Sequence, residues 1–303
     1  MKAIIFKKIG KTEEMIYTDV DKPIPEKGEI LVKVIYGSVT IGDVLMKKMP
    51  RLIVTVLGFL LGFKPMDIPG VEFSGTVEET GSEVTKLKKG DKIFGTATGM
   101  RYGANAEYLC VPEKGKINAI AKMPQEISFD IAAALPIAGM TVLYIFNKCK
   151  INQSDRVMVY GASGSVGSIA VKILKNRGIT VTGVCSTENI DMVKSLGADR
   201  VIDYKTEDFT QTNEKYDFIF DAVGKTSKSK CKNILKKGGY YKSIKLPTKE
   251  KVENLELLGK LAAEGSIKPY IEKTVELNQV PETHTYVATG RKKGNIIVKI
   301  SEV

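Results

Sequence analysis

The stretch DRVMVYGASGSVGSIAVKILKN, residues 155–176, limits the possible folds of this chain more than any other. Its opening residues alternate as a β-strand does. Its later ones set Val166, Ile169, Ala170, Ile173 and Leu174 at helical spacing, one apolar stripe along a helix. Between strand and helix stand Gly161, Ala162, Ser163, Gly164, Ser165, Val166 and Gly167. The first glycine permits a tight exit from the strand. The second lets backbone approach a pyrophosphate with no Cβ in the way, and the third lets the helix lie close to the strand. Amides at the helix start and the helix dipole then meet phosphate charge. A purely structural Gly-rich turn is the plain alternative. Dinucleotide binding is favoured because strand, turn and helix all fall where that mechanism needs them.

The end of the next strand bears on which dinucleotide. An NAD site ordinarily places Asp or Glu there to accept from the ribose 2′-hydroxyl. Here the sequence is Val184-Cys185-Ser186-Thr187, with Glu188 arriving late and no Arg or Lys following at once. The missing carboxylate, with the hydroxyls of Ser186 and Thr187 available to a 2′-phosphate, favours NADPH; NADH stays open.

The rest of the chain arranges itself around this unit. Before residue 123 come short alternating apolar runs: MKAIIF, EILVKVIYG, GVEFSGTVEE, DKIFGTA and AEYLCV. Then ISFDIAAALPIAGMTVLYIFNK reads as a long apolar helix. The strands DRVMVY, ITVTGVCS, RVIDY, YDFIFDAVG and GGYYKSI follow, with a helix after each of the first two and another between the last two. That alternation predicts an α/β, doubly wound parallel sheet covered on both faces. A helix, ENLELLGKLAAEG, and a short β-rich tail close the chain.

Composition removes several function classes. The four cysteines form no CxxC pair and His284 is the only histidine, so a Cys-built metal site, a two-imidazole zinc centre or a Ser/His/Asp triad lacks its parts. A net charge of +11 comes from scattered Lys, which reads as a solvated surface with some attraction for anions. No basic cluster or module points to nucleic acid. No run reaches the ~20 apolar residues of a membrane span, and the first residues lack a signal-peptide pattern, so a cytoplasmic location is expected.

The chain resembles the medium-chain dehydrogenase/reductase superfamily, in its zinc-free quinone oxidoreductase-like branch. The marks are MKAIIF, GSVTIGD, GVEFSGTVEETGSEVTKLKKGDKIFG, GANAEYLCVPE, GASGSVG, SLGADRVIDY and FDAVG. The resemblance implies a GroES-like β-barrel catalytic domain at 1–122, completed by 268–303, and a Rossmann dinucleotide-binding domain at 123–267. Zinc-dependent members carry Cys where this chain has Thr40 and His where it has Val71. Neither replacement is a serviceable zinc ligand, so no metal is expected. The resemblance also brings Thr141, the Ala222-Val223-Gly224 loop, Ser243 and Ile244 toward the nicotinamide and its ribose. It sets Tyr204 near the adenosine 2′-phosphate, with core packing as the alternative. Thr40 is placed to hold a carboxamide or substrate oxygen, or else is a turn hydroxyl. Asp43 either orients loop groups or, preferably, caps a short helix.

Without a Lewis acid, the expected reaction is hydride transfer from NADPH to a hydrophobic acceptor that is already electrophilic, a quinone or an α,β-unsaturated carbonyl. An alcohol or carbonyl dehydrogenase and a non-catalytic dinucleotide-binding sensor or scaffold are the alternatives. LIVTVLGFLLGF, residues 52–63, is expected to wall the acceptor site, with core packing or membrane-surface contact as other roles. The junction SIKLPTKEKVENLELL looks short beside the family, from a lost element or an omitted segment, and this puts homodimerisation through that region in doubt.

Overall fold

A computed structural model describes residues 1–9, 12–47, 56, 67–97, 103–115, 118–245 and 248–303. Residues 52–55 and 57–63, most of the segment expected to wall the acceptor site, lie outside the described residues. The chain divides into two compact units, 1–137 with 251–259 and 271–303, and 138–250 with 260–270.

The first unit is built mainly on antiparallel pairing, with its last two strands the one parallel pair among the described residues. Strands β1 (Lys2–Ile9) and β2 (Thr12–Asp19) form a hairpin of their own. Strands β3 (Glu29–Ser38), β4 (Glu72–Thr80), β5 (Lys92–Thr96), β6 (Tyr108–Pro112), β7 (Ile120–Lys122), β13 (Ile271–Glu276) and β14 (Asn295–Lys299) make a seven-stranded sheet. Its order is β13-β14-β3-β4-β5-β7, with β6 paired to β3. The tail thus joins the sheet through β14, which runs antiparallel to β3. The apolar runs of β3, β4, β5 and β6 face one core, where Ile30, Val32, Val34, Phe73, Ile93 and Leu109 meet. A short helix, α1 (Ile41–Lys47), follows β3.

The long apolar stretch after Met123 is two helices, α2 (Phe129–Ala133) and α3 (Pro136–Phe146). Pro136 explains the break: it has no amide hydrogen to continue α2, and it suits the first position of a new helix. The expected boundary at 122/123 moves as well. Ser74 Oγ on β4 donates to the Phe129 carbonyl at 2.6 Å, and Ala133 and Ala134 pack on Ile297 of β14, which fastens α2 to the first unit.

The second unit holds a five-stranded parallel sheet ordered β10-β9-β8-β11-β12. Its strands are β8 (Arg156–Tyr160), β9 (Thr180–Cys185), β10 (Arg200–Asp203), β11 (Tyr216–Asp221) and β12 (Leu235–Ser243). The helices α4 (Ser165–Asn176) and α5 (Ile190–Ser195) connect β8 to β9 and β9 to β10. From β8 the chain steps outward to β9 and β10, then returns to the other side for β11 and β12. Such a reversal opens a crevice at the carboxyl ends of the strands beside β8. Phe146 of α3 packs edge-on against Phe218 and Phe220 of β11, with ring centroids 5.5 and 5.4 Å away.

No helix forms between β11 and β12, contrary to expectation. Residues 228–234 are hydrogen-bonded turns, such as Ile234 N–H to the Cys231 carbonyl at 3.1 Å. Only Cys231 and Ile234 of TSKSKCKNI are buried, too small an apolar stripe to hold a helix on the sheet. Beyond β12, the described residues form no further strand before α6 (Val252–Ala263), and α7 (Val280–Ala288) precedes the last strand. Among the described residues no helix is long and apolar enough to cross a membrane.

Candidate functional site

The three glycines of the turn after β8 answer to different neighbours. Gly161 has φ +79°, and a Cβ there would stand 2.5 Å from Val223 Cγ1. At Gly167 a Cβ would lie 2.1 Å from the Gly161 carbonyl oxygen. Both positions are therefore fixed by the protein's own packing. Gly164, the residue before α4, has φ −78°, and a Cβ on it would meet only the Gly161 oxygen, at 3.6 Å. Nothing inside the protein requires a glycine there. The amides of Val166 and Gly167 lie ahead of the first intrahelical bond of α4, from Ser168 N–H to the Gly164 carbonyl at 2.9 Å, and amides at a helix start suit an anion.

The turn is braced from its neighbours. Gly161 and Ala162 donate their amides to the Val184 carbonyl at 2.9 and 3.0 Å. Asn189 Nδ2 donates at 3.1 Å both to Ser163 Oγ in the turn and to Ser186 Oγ after β9. On the other side Asp221, wholly buried at the end of β11, accepts from the amides of Val223, Gly224, Lys225 and Thr226 at 2.8–3.2 Å. It also accepts from Tyr241 at 3.1 Å and from Ser243 at 3.3 Å. One carboxylate thus shapes the Ala222-Val223-Gly224 loop, and burial with the Asp221 charge pushes the Tyr241 phenol upward. Thr141 is half-buried on α3.

At the end of β9 the Thr187 hydroxyl gives its hydrogen to Asp203 at 2.5 Å, and Ser186 is shared between Asn189 and Glu188. Both hydroxyls expected to face a 2′-phosphate are thus engaged. The cation of this region comes from the adjoining strand: Lys205, two residues past β10, pairs with Glu188. That bond holds the Glu188 carboxyl down to about 2. Tyr204 is half exposed beside it, its ring centroid 6.4 Å from that of Tyr160. Reading along one strand missed Lys205. The register of Asp203 beside Cys185 brings it over.

In the first unit Thr40 and Asp43 cap α1 reciprocally. Asp43 Oδ2 accepts from the Thr40 amide at 2.8 Å and from its hydroxyl at 2.6 Å, while Thr40 Oγ1 accepts the Asp43 amide at 3.2 Å. The capping role expected of Asp43 is met by these bonds. Glu72, next to the buried Val71, takes the Ser38 hydroxyl on one oxygen and the Ile137 amide on the other, at 2.6 Å. It therefore satisfies an otherwise open amide in the first turn of α3. Burial pushes the Glu72 carboxyl up to about 7, a rise that Asp43 adds to and that Ser38, Ile137 and Lys292 oppose.

The sign of the consequence is fixed by that direction. The folded protein keeps a proton on Glu72 between the ordinary carboxylate range and pH 7, where the unfolded chain has lost it. Stability from this group is therefore full at low pH and falls as pH rises toward 7 and beyond, by on the order of 3 kcal/mol. Glu72→Gln keeps an acceptor for Ile137 and cannot ionise. Denaturant titrations at pH 5 and pH 8 are expected to show the wild type losing this increment relative to Glu72→Gln; equal losses would refute it.

The two positions that carry zinc ligands in zinc-dependent members do not suit the metal here. Val71 offers no donor atom, and the Thr40 hydroxyl has its hydrogen on Asp43 and one lone pair on the Asp43 amide.

Two family models match the chain, one described as an alcohol dehydrogenase GroES-like domain over residues 26–125, the other as a zinc-binding dehydrogenase over residues 165–277. A 2-methylene-furan-3-one reductase of Solanum lycopersicum is 30% identical over 250 residues, which are 76% of this chain; the match spans 63% of the tomato protein. A chloroplast envelope quinone oxidoreductase homolog of Arabidopsis thaliana is 29% identical, with 96% of this chain and 95% of the relative covered. The solved structure of a quinone oxidoreductase from Coxiella burnetii superposes with a TM-score of 0.85 at 28% identity, covering 99% of both chains.

Proposed function

Since the chain belongs to the medium-chain dehydrogenase/reductase superfamily, in its quinone oxidoreductase-like branch, we propose that it is an NADPH-dependent oxidoreductase that reduces a quinone or an α,β-unsaturated carbonyl without metal. The observation that carries the cofactor assignment is Gly164, a glycine that the fold does not need, at the mouth of an amide-lined helix start. The bound nicotinamide supplies the hydride. The residues 161–167 hold the pyrophosphate on backbone amides, and the loop shaped by Asp221 borders the same end of the sheet. Thr40, whose hydroxyl hydrogen is on Asp43, offers the oxygen assigned to accept from the nicotinamide carboxamide, with Asp43 fixing its orientation.

Lys205 favours NADPH over NADH: its ammonium exchanges Glu188 for the 2′-phosphate. Lys205→Ala is expected to weaken NADPH about tenfold, near 1.4 kcal/mol, and NADH less than about twofold. Glu188→Gln, which frees the lysine, is expected to tighten NADPH. Fluorescence titration with both nucleotides checks this, and equal losses for the two in Lys205→Ala would contradict it.

The acceptor assignment is tested by following NADPH consumption with a quinone panel, a 2-alkenal panel and simple ketones. Turnover with quinones or alkenals is expected. Turnover with ketones alone would indicate a carbonyl dehydrogenase, and tight binding with no turnover a sensor or scaffold. A reducing compartment such as the cytoplasm suits four cysteines that are all free thiols.

A further inference from the structure

Asn189 stands at the N-cap position of α5, where an asparagine ordinarily bonds the first free amides of its own helix. Its side chain makes no such bond. It reaches back 26 residues instead, Nδ2 donating at 3.1 Å to Ser163 Oγ in the Gly-rich turn and at 3.1 Å to Ser186 Oγ after β9. Oδ1 is buried without a partner among the described residues. The carboxamide thus forgoes the cap and leaves its oxygen unsatisfied, both at a cost in stability, while its nitrogen stays on two serines.

Which end of the carboxamide meets the serines matters, because a hydroxyl can give or take a hydrogen bond. Ser186 settles it. Its hydrogen goes to the Glu188 carboxylate, which can only accept, so the group that Asn189 turns to Ser186 has to be the donor. Ser163 Oγ accepts from the same nitrogen, and its own hydrogen has no acceptor among the described residues. Ser163 directly precedes Gly164, the glycine that the fold does not need. Two adjacent positions of the turn therefore hold something in reserve: one an uncommitted hydroxyl hydrogen, the other a missing Cβ.

We propose that Asn189 is a positioning residue of the nucleotide site: by filling a lone pair of Ser163, it leaves that hydroxyl to donate to a diphosphate oxygen. The inference rests on the reading of the turn as a diphosphate cradle. A hydrogen bond to an anionic oxygen is among the stronger kinds, and Ser163 adds one donor to those of the backbone amides. The same carboxamide ties the turn to the end of β9, so both keep one spacing.

Replacement by aspartate separates this role from bracing. Asn189→Asp keeps the shape of the side chain and a favoured N-cap residue, and it still bonds Ser163, but only as an acceptor. The Ser163 hydrogen is then drawn to position 189 and lost to the ligand. The added charge also repels a diphosphate, and the same substitution in a Ser163→Ala background measures that repulsion alone. The test is fluorescence titration of NADPH and NADH into wild type, Ser163→Ala, Asn189→Asp and the double variant. Ser163→Ala is expected to weaken both nucleotides about tenfold, since both carry the diphosphate. Asn189→Asp should weaken both about thirtyfold when Ser163 is present and about threefold in the Ser163→Ala background. Equal factors in the two backgrounds would overturn the proposal, because Asn189 would then act by charge or bracing and not through the Ser163 hydrogen. If wild type binds neither nucleotide, the diphosphate reading falls and the proposal with it; if wild type binds and the factors are equal, the proposal falls alone. Should Asn189→Asp not fold, Asn189→Ala takes its place, with a loss expected only where Ser163 is present.

Discussion

Gly164→Ala is expected to leave the protein folded and to remove most of its affinity for NADPH. The added Cβ meets one protein atom at ordinary contact distance, and φ −78° suits any residue, so the loss in stability stays within about 1 kcal/mol. The same methyl stands where a diphosphate must approach the amides, and the dissociation constant should rise at least thirtyfold, or about 2 kcal/mol. Gly167→Ala makes the opposite trade. Its Cβ would sit 2.1 Å from the Gly161 oxygen and 2.8 Å from Ala162 Cα, so backbone must move and the unit loses about 3 kcal/mol. Melting curves and nucleotide titrations on both variants separate the two effects. A Gly164→Ala protein that binds NADPH as tightly as wild type would mean that the open space beside the turn serves no ligand.

Asp221→Ala is expected to be the most destabilising single change in the second unit. Six donors lose their acceptor, four of them consecutive amides, in a loop that is only partly buried, so some of them turn to water. Leaving buried donors unsatisfied costs about 1–3 kcal/mol each where no other partner is found, so even partial relaxation leaves a loss of about 4 kcal/mol. Asp221→Asn keeps one acceptor oxygen and should fall between. Hydrogen exchange gives the local readout, because the amides of residues 223–226 should lose protection before the rest of the sheet does. Unchanged protection at those amides in Asp221→Ala would show that the loop is held by other contacts.

What the sequence made legible follows from how local each feature is. The strand, turn and helix around residues 155–176 lie in one contiguous segment, and each glycine has a local reason that survives in three dimensions. The parallel sheet was readable for the same cause: β-branched and aromatic runs such as VMV and FIF are buried on both faces. The broken helix at Pro136 was also open to a local reading, yet the apolar periodicity on both sides of the proline masks it. Other features depend on register between strands distant in sequence. Lys205 reaches Glu188 only because β10 lies beside β9, and the tail completes the first unit's sheet only because β14 lies beside β3. Asp221 lies in the quoted motif FDAVG, but nothing local shows that one carboxylate gathers four amides and two hydroxyls. Turns took the place of the expected helix after β11 because a segment of six Lys, Ser and Thr residues around Cys231 offers tertiary packing almost nothing to hold.

The most direct test is an equilibrium fluorescence titration of the purified wild-type protein with NADPH and with NADH. One saturable site per chain is predicted, tighter for NADPH and largely lost in Gly164→Ala. No binding of either nucleotide, with the protein folded by circular dichroism, would contradict the assignment of the turn at residues 161–167 as a diphosphate cradle and, with it, the proposed chemistry.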